Sequence, residues 1–274
     1  MINPKLRAIL FLIFINCAWM FASWMWTDRE HWMWITPIAL SINFLLLTYD
    51  QVLSFRGLES LRLEGQDPYG LLKTVHALCV RFQIAEPSVF LIPHPSALAF
   101  AYARTKRSNR LFVSEGTLRL LTRPELEAVL TFQLLAINNS LSILNYWAGA
   151  WLDLVYRLGL TLEKALGFVI GWSPRISVWV IRPFMWLLQF LLMSKRDFQR
   201  LDGQVAARFG HAEDLASALW KMESYAQTRP FPDAWVFAHM CIVSPLDRAN
   251  FLNSIHVQPP LKRRIKHLVG RYPL

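Results

Sequence analysis

Histidine, cysteine and carboxylate side chains bind metals and move protons, and in this chain they do not gather. The seven histidines (His31, His76, His94, His211, His239, His256 and His267) form no HxxxH or HxxH pair. No helix face therefore carries two imidazoles one turn apart, the arrangement that holds zinc on a helix. His211 with Glu213 and Asp214 offers three ligand types in a short stretch, but acidic residues there read better as the first turn of a helix. His94 reads as a surface residue of a proline-flanked loop. The cysteines Cys17, Cys79 and Cys241 form no CxxC and read as free thiols. No Ser-His-Asp spacing, no GxSxG elbow and no clustered glycines occur, so nucleophilic hydrolysis and phosphate cradling find no support.

Charge and hydropathy point elsewhere. The chain carries a net charge of +10, is 54% apolar and 14% aromatic, has twelve tryptophans, and has a mean hydropathy of +0.28. Such a chain is either a membrane protein with basic surfaces or a nucleic-acid binder, and the apolar runs favour the membrane. Ala8 to Trp26 and Trp32 to Tyr49 are uncharged runs close to the roughly 20 residues a bilayer needs. Lys5 and Arg7 precede the first, Arg56, Arg62 and Lys73 follow the second, and an acidic turn at Asp28-Arg29-Glu30 separates them. This pattern predicts a transmembrane hairpin with both ends cytoplasmic. Two less uniform runs, Leu141–Leu160 and Ile176–Met193, predict a second helical hairpin, crossing the bilayer or lying on it. Asp153 and Arg157 sit four residues apart and are expected to pair. Two basic clusters, Arg104, Lys106, Arg107 and Arg110 in one and Lys262, Arg263, Arg264 and Lys266 in the other, are candidates for contact with anionic lipid headgroups. No aromatic platform interleaves with them, which argues against nucleic acid.

Between the runs, the spacing of apolar residues predicts a helix over Leu71–Phe82. Short strands are expected at Pro87–Pro93, Ala97–Ala103 and Leu111–Val113. Ser114-Glu-Gly116 opens a helix toward Leu121. Thr122-Arg-Pro-Glu125 opens the next, with Thr122 as N-cap, Pro124 in the first turn, and Glu125 and Glu127 complementing the dipole. Residues 194–227 read as mainly helical, and a basic helix spans Pro260–Leu268.

In this order the segments resemble the HtpX-type membrane zinc metallopeptidases, a family that includes the prenyl-protein (CAAX) endopeptidases and the mitochondrial Oma-type proteases. The resembling stretches are Val89-Phe-Leu-Ile-Pro93, Ala99-Phe-Ala101 with Leu98 in the place of an asparagine, and Phe112-Val-Ser-Glu-Gly-Thr-Leu118. Further along they are Pro124-Glu-Leu-Glu-Ala-Val-Leu130, Ser194–Ala207 and Gln258-Pro-Pro-Leu-Lys-Arg-Arg-Ile265. The resemblance implies a helix bearing His-Glu-x-x-His, a third ligand on a later helix, and a C-terminal His-Pro. Carried across, the histidines become Phe132 and Ala136, the general base becomes Gln133, and the third ligand becomes Phe198 when Asp202 is aligned with the family's aspartate. The His-Pro becomes Gln258-Pro259. Asp197 alone could ligate, after a one-residue shift, and one carboxylate would hold zinc weakly.

The expected fold is therefore α+β, mostly α. An N-terminal transmembrane hairpin (1–50) precedes a zincin-like peptidase-type domain with a small edge sheet (51–140 and 194–274). A second apolar helical hairpin (141–193) is inserted in that domain. The expected function is that of a catalytically inactive HtpX-like pseudopeptidase in the bacterial-type inner membrane, with no cofactor or metal. It would serve as a structural or regulatory subunit, with membrane lipids and other membrane proteins as partners. Leu98, Ala99, Phe100 and Ala101 are the candidates for partner binding by strand addition. The alternatives are a membrane zinc endopeptidase with a displaced site built on Asp197 and a remote histidine, and a lipid-handling surface protein.

Overall fold

The computed structural model describes residues 59–65, 67, 69–103, 108–139, 141–170, 195–210, 212–231, 234, 237–246 and 258–270, with scattered residues before position 42. The expected hairpin of residues 1–50 falls almost wholly outside these residues. So do residues 171–193 and the basic residues Arg104, Lys106 and Arg107.

A two-residue strand β1 (Leu61–Arg62) leads to α1 (Leu71–Phe82), whose first N–H groups at Leu71 and Leu72 donate to the Asp67 carboxylate at 2.7 and 2.6 Å. Three strands follow: β2 (Ser88–Ile92), β3 (Ala99–Ala103) and β4 (Asn109–Ser114). They form one sheet in the order β1-β2-β4-β3, with β2 and β4 parallel and the other two pairings antiparallel. β3 is thus an edge strand, as the family resemblance implies.

Register sorts the side chains. Phe90 and Phe100 both lie opposite Phe112, and each ring stacks on it at 4.9 Å. Because side chains alternate along a strand, Ala99, Ala101, Leu111 and Val113 occupy the other face. All five residues of β3 are buried, so both of its faces are covered.

Ser114 closes β4 and caps α2 (Glu115–Leu120), where its hydroxyl accepts from the Leu98 and Thr117 N–H groups and donates to the Ser96 carbonyl. Gly116 is required here. A Cβ at this position would lie 1.9 Å from the Pro95 carbonyl oxygen, which is backbone and cannot rotate away.

Helix α3 (Arg123–Asn138) runs through the centre. Every residue from Ala128 to Ile137 is buried, the signature of a helix covered on all sides. α4 (Leu141–Ile170) follows, and its first half is buried through Tyr146, Ala150, Trp151 and Asp153. Tyr146 stacks on Tyr102 of β3 at 5.6 Å, so this half packs on the sheet. The Asp153–Arg157 pair forms at 2.7 Å, with the carboxylate buried and the guanidinium exposed. Beyond it α4 emerges, and Phe168 is 93% exposed. Among the described residues, no helix is long and apolar enough to cross a membrane. α5 (Lys195–Phe209) and α6 (Ala212–Thr228) meet at Gly210, whose φ of 77° suits glycine. A 3-10 turn (Ala238–Met240) and α7 (Leu261–Val269) complete the fold.

Candidate functional site

The helix that would carry the chemistry begins as the sequence predicts. Thr122 and Glu125 form a capping box, in which the Thr122 N–H donates to Glu125 Oε2 at 2.9 Å. The other oxygen, Oε1, accepts from the Ser217 hydroxyl at 2.5 Å and from Lys221 Nζ at 2.7 Å, which ties α3 to α6. Burial of Glu125 acts to raise its pKa. The bonds from Lys221, Ser217 and Thr122 outweigh that and hold it below the usual carboxylate range.

Two turns further in, Phe132 and Ala136 share a face of α3, and both are buried. The Phe132 ring lies 6.1 Å from the Phe198 ring of α5, so the two helices are joined there by carbon. Above the rings sits the Arg264 guanidinium of α7, its Cζ 5.4 Å from the Phe132 centroid and 5.7 Å from that of Phe198. Its Nε and Nη2 donate to the two Asp202 oxygens at 2.8 and 2.7 Å, and its Nη1 donates to the Ile242 carbonyl at 2.6 Å. Arg264 is 2% exposed and Asp202 is fully buried. A guanidinium survives there because a bidentate carboxylate, a carbonyl and two aromatic faces satisfy it together.

The two glutamines are bonded rather than idle. Gln133 Nε2 donates to the Ala99 carbonyl at 2.8 Å, a link from α3 to the edge strand. Gln258 Nε2 donates to the carbonyls of Ala238 and Cys241 at 2.8 and 2.9 Å.

This donor set does not fit a zinc ion. Phe132, Ala136 and Phe198 offer no lone pair, and the Gln133 amide is engaged with a backbone carbonyl. Asp197 is buried beside Phe198. Among the described residues, no group of three His, Cys, Asp or Glu side chains is placed to hold a metal ion.

No family model matches the chain. Curated relatives match it along most of its length. A "Protease HtpX homolog" of Pelotomaculum thermopropionicum is 25% identical over 241 residues, covering 84% of this chain and 86% of the relative. One of Desulforapulum autotrophicum is 26% identical, covering 96% and 89%. One of Dictyoglomus thermophilum is 29% identical, covering 73% and 68%. Among solved structures, S. mikatae Ste24p superposes with a TM-score of 0.50 at 15% identity. The chain is thus similar to HtpX protease homologues along most of its length. The likeness to Ste24p is one of fold: it covers 94% of this chain, which spans 62% of the length of that protein.

Of the positions Phe132, Gln133, Ala136 and Phe198, the structure brings Phe132 and Phe198 together between α3 and α5, whereas Gln133 bonds to the edge strand. The remaining candidates divide. Arg264 is not a headgroup ligand, because its guanidinium is locked to Asp202 inside the protein. Arg110 is half-buried and donates to the Tyr102 hydroxyl at 2.9 Å, with its charge over the Phe90 and Tyr102 rings, so it belongs to the sheet. Lys262, Arg263 and Lys266 do face outward from α7. Leu98, Ala99, Phe100 and Ala101 are buried, and the open edge expected there is not open. Phe100 forms an antiparallel bridge with Cys241, and the Ile242 N–H donates to the Ala99 carbonyl at 3.3 Å. His94 packs on the Phe231 ring at 4.3 Å and accepts from the Ser96 N–H through Nδ1.

Sequence reasoning missed the guanidinium site, although a signal was present. Leu261, Arg264, Ile265 and Leu268 recur at i, i+3, i+4 and i+7, which places Arg264 on the apolar stripe of α7. His239 was also missed. Its Nε2–H donates to the Asn145 carbonyl of α4 at 2.9 Å, a pairing of residues far apart in sequence that no local pattern signals.

Proposed function

We propose that this chain is an HtpX-like pseudopeptidase, which acts at a membrane by binding rather than by cleavage. One observation carries the reading: the positions matching the zinc ligands and the general base are filled by an aromatic pair, a methyl group and an engaged amide. A buried guanidinium sits over the rings. Water activation needs a Lewis acid and a base that can take a proton, and neither Phe132, Ala136 and Phe198 nor Gln133 supplies one. Support for the membrane comes from the uncharged runs Ala8–Trp26 and Trp32–Tyr49 with their basic flanks. A role as a structural or regulatory subunit follows from a peptidase-type frame that is retained around an apolar centre.

The test is metal content and hydrolysis together. The full chain, purified in detergent without chelator, should carry zinc well below one ion per chain. It should leave an unfolded protein substrate uncut with or without added zinc. Stoichiometric zinc accompanied by chelator-sensitive cleavage would overturn the reading.

A further inference from the structure

Helix α5 opens on cations directly after an apolar stretch: Met193 ends the run Ile176–Met193, and Lys195, Arg196 and Arg200 follow. Burial sorts the first turns of this helix into two faces. Asp197, Phe198, Leu201 and Asp202 are buried, whereas Lys195, Arg196 and Arg200 are exposed. Asp197 and Asp202 are the acids of α5, so none of its own carboxylates lies on the basic face. The helix gains nothing from this arrangement. Arg196 and Arg200 are one turn apart, where like charges repel, and cations in a first turn oppose the helix dipole. The core contacts of Phe198 and Asp202 nevertheless hold that turn in place and present the three cations together.

We propose that Lys195, Arg196 and Arg200 bind the phosphodiester headgroups of anionic phospholipids in the bilayer that holds the chain. The inference rests on the membrane placement proposed above and is independent of whether the chain cleaves anything. Chain length sets the distance. Two residues span at most about 7 Å, which bounds the separation of Lys195 from the end of the apolar run. Five more residues of helix rise about 8 Å to Arg200. A headgroup layer is roughly 5–8 Å deep, and long basic side chains reach toward it along their apolar stems. Guanidinium groups match phosphate oxygens two at a time, and an ammonium adds a point charge. Lys262, Arg263 and Lys266 of α7 carry a similar charge, but no uncharged run of bilayer length adjoins that helix in the sequence.

The test titrates dihexanoyl phosphatidylglycerol into the full chain in neutral-detergent micelles and follows binding by tryptophan fluorescence. Binding should saturate. In the triple variant Lys195→Gln, Arg196→Gln, Arg200→Gln the half-saturation point should rise at least about fivefold, the factor expected from even one cation lost at a lipid surface. The charge-keeping variant Lys195→Arg, Arg196→Lys, Arg200→Lys should stay within about twofold of the parent. An equal rise in Lys262→Gln, Arg263→Gln, Lys266→Gln would show a response to net charge alone and would overturn the proposal. So would equal binding of dihexanoyl phosphatidylcholine, or displacement of the lipid by inorganic phosphate at the same concentration, which would assign the face to free anions. Flotation with neutral phosphatidylcholine vesicles separates the two readings. A parent chain that fails to float would overturn the membrane placement and this inference with it. Flotation of parent and Gln variant alike, with an unmoved half-saturation point, would overturn this inference alone.

Discussion

The first turn of α3 and its middle lie on one helix and are held in opposite ways. At the first turn the chain keeps polar groups and satisfies them: Glu125 meets the backbone, a hydroxyl and an ammonium. In the middle, where the family resemblance calls for ligands, two of the three ligand positions on α3 and α5 have become rings and one a methyl group. Among the described residues, the buried cation there comes from another helix, α7. The capping groups serve the helix whatever chemistry it carries, since its first N–H groups need partners in any protein. A metal ligand serves only its metal. Apolar side chains there bury no unpaired donors, and ring packing supplies the cross-link between α3 and α5.

The largest test of this contrast is Arg264→Ala. It strands Asp202, fully buried, without its counter-charge and should cost about 3–5 kcal/mol in denaturant unfolding. The double variant Arg264→Met with Asp202→Leu should recover most of that loss, because an apolar pair of similar volume often replaces a buried ion pair without penalty. A loss below about 1 kcal/mol for the single variant would mean that the middle of α3 is not held by this cation.

Next comes Gln133→Glu, which restores the family's carboxylate at one position. The Ala99 carbonyl would lose its amide donor and face an acceptor, for a cost of about 1–3 kcal/mol. The sign with pH is set by burial, which raises the new carboxyl's folded pKa. The variant should therefore be closest to the parent at low pH and fall further behind as pH rises through that pKa. Equal deficits at acid and alkaline pH would show that the new carboxylate reaches solvent.

Local signals made the frame of α3 readable. The Thr122 cap, the proline in the first turn and the acid three residues on each act within one turn. The strands were readable from short apolar runs bounded by proline and polar residues, and the edge position of β3 from the family resemblance. The center of the site was readable only as a loss, because a sequence lists Phe132 and Phe198 without saying that they touch. The Arg264 assignment failed for the same reason. Within Lys262–Lys266 it looked like one more surface charge, and only the partner from α5 reveals its place. The cover over the β3 edge was not readable at all, since its contacts join Ile242 to Ala99, His239 to Asn145 and Cys241 to Gln258.

A smaller effect is expected at the first turn itself. Glu125 is held below the usual carboxylate range, so the unfolded chain binds its proton more readily than the folded one. Its contribution is fully present above the ordinary carboxylate range and is lost as pH falls through the lowered folded value. In Glu125→Gln the unfolding midpoint should fall less between neutral and acid pH than in the parent, a difference read from urea titrations across that window. Parallel curves would mean that Lys221 and Ser217 contribute nothing to the charged form.

The smallest effect sharpens the comparison most, because it comes from the same turn. Arg123 pairs with Glu127 at 3.6 Å, one turn apart, and its side chain is 79% exposed. It is an ion pair like Lys221–Glu125, which is closer, at 2.7 Å, and has a buried carboxylate. Water screens the attraction, and holding a long side chain in place offsets what remains. Arg123→Ala should therefore shift stability by less than about 0.5 kcal/mol, with no change in its pH dependence. If the loss instead matched that of Lys221→Ala, burial would not be what separates the polar contacts that hold α3 from those that decorate it.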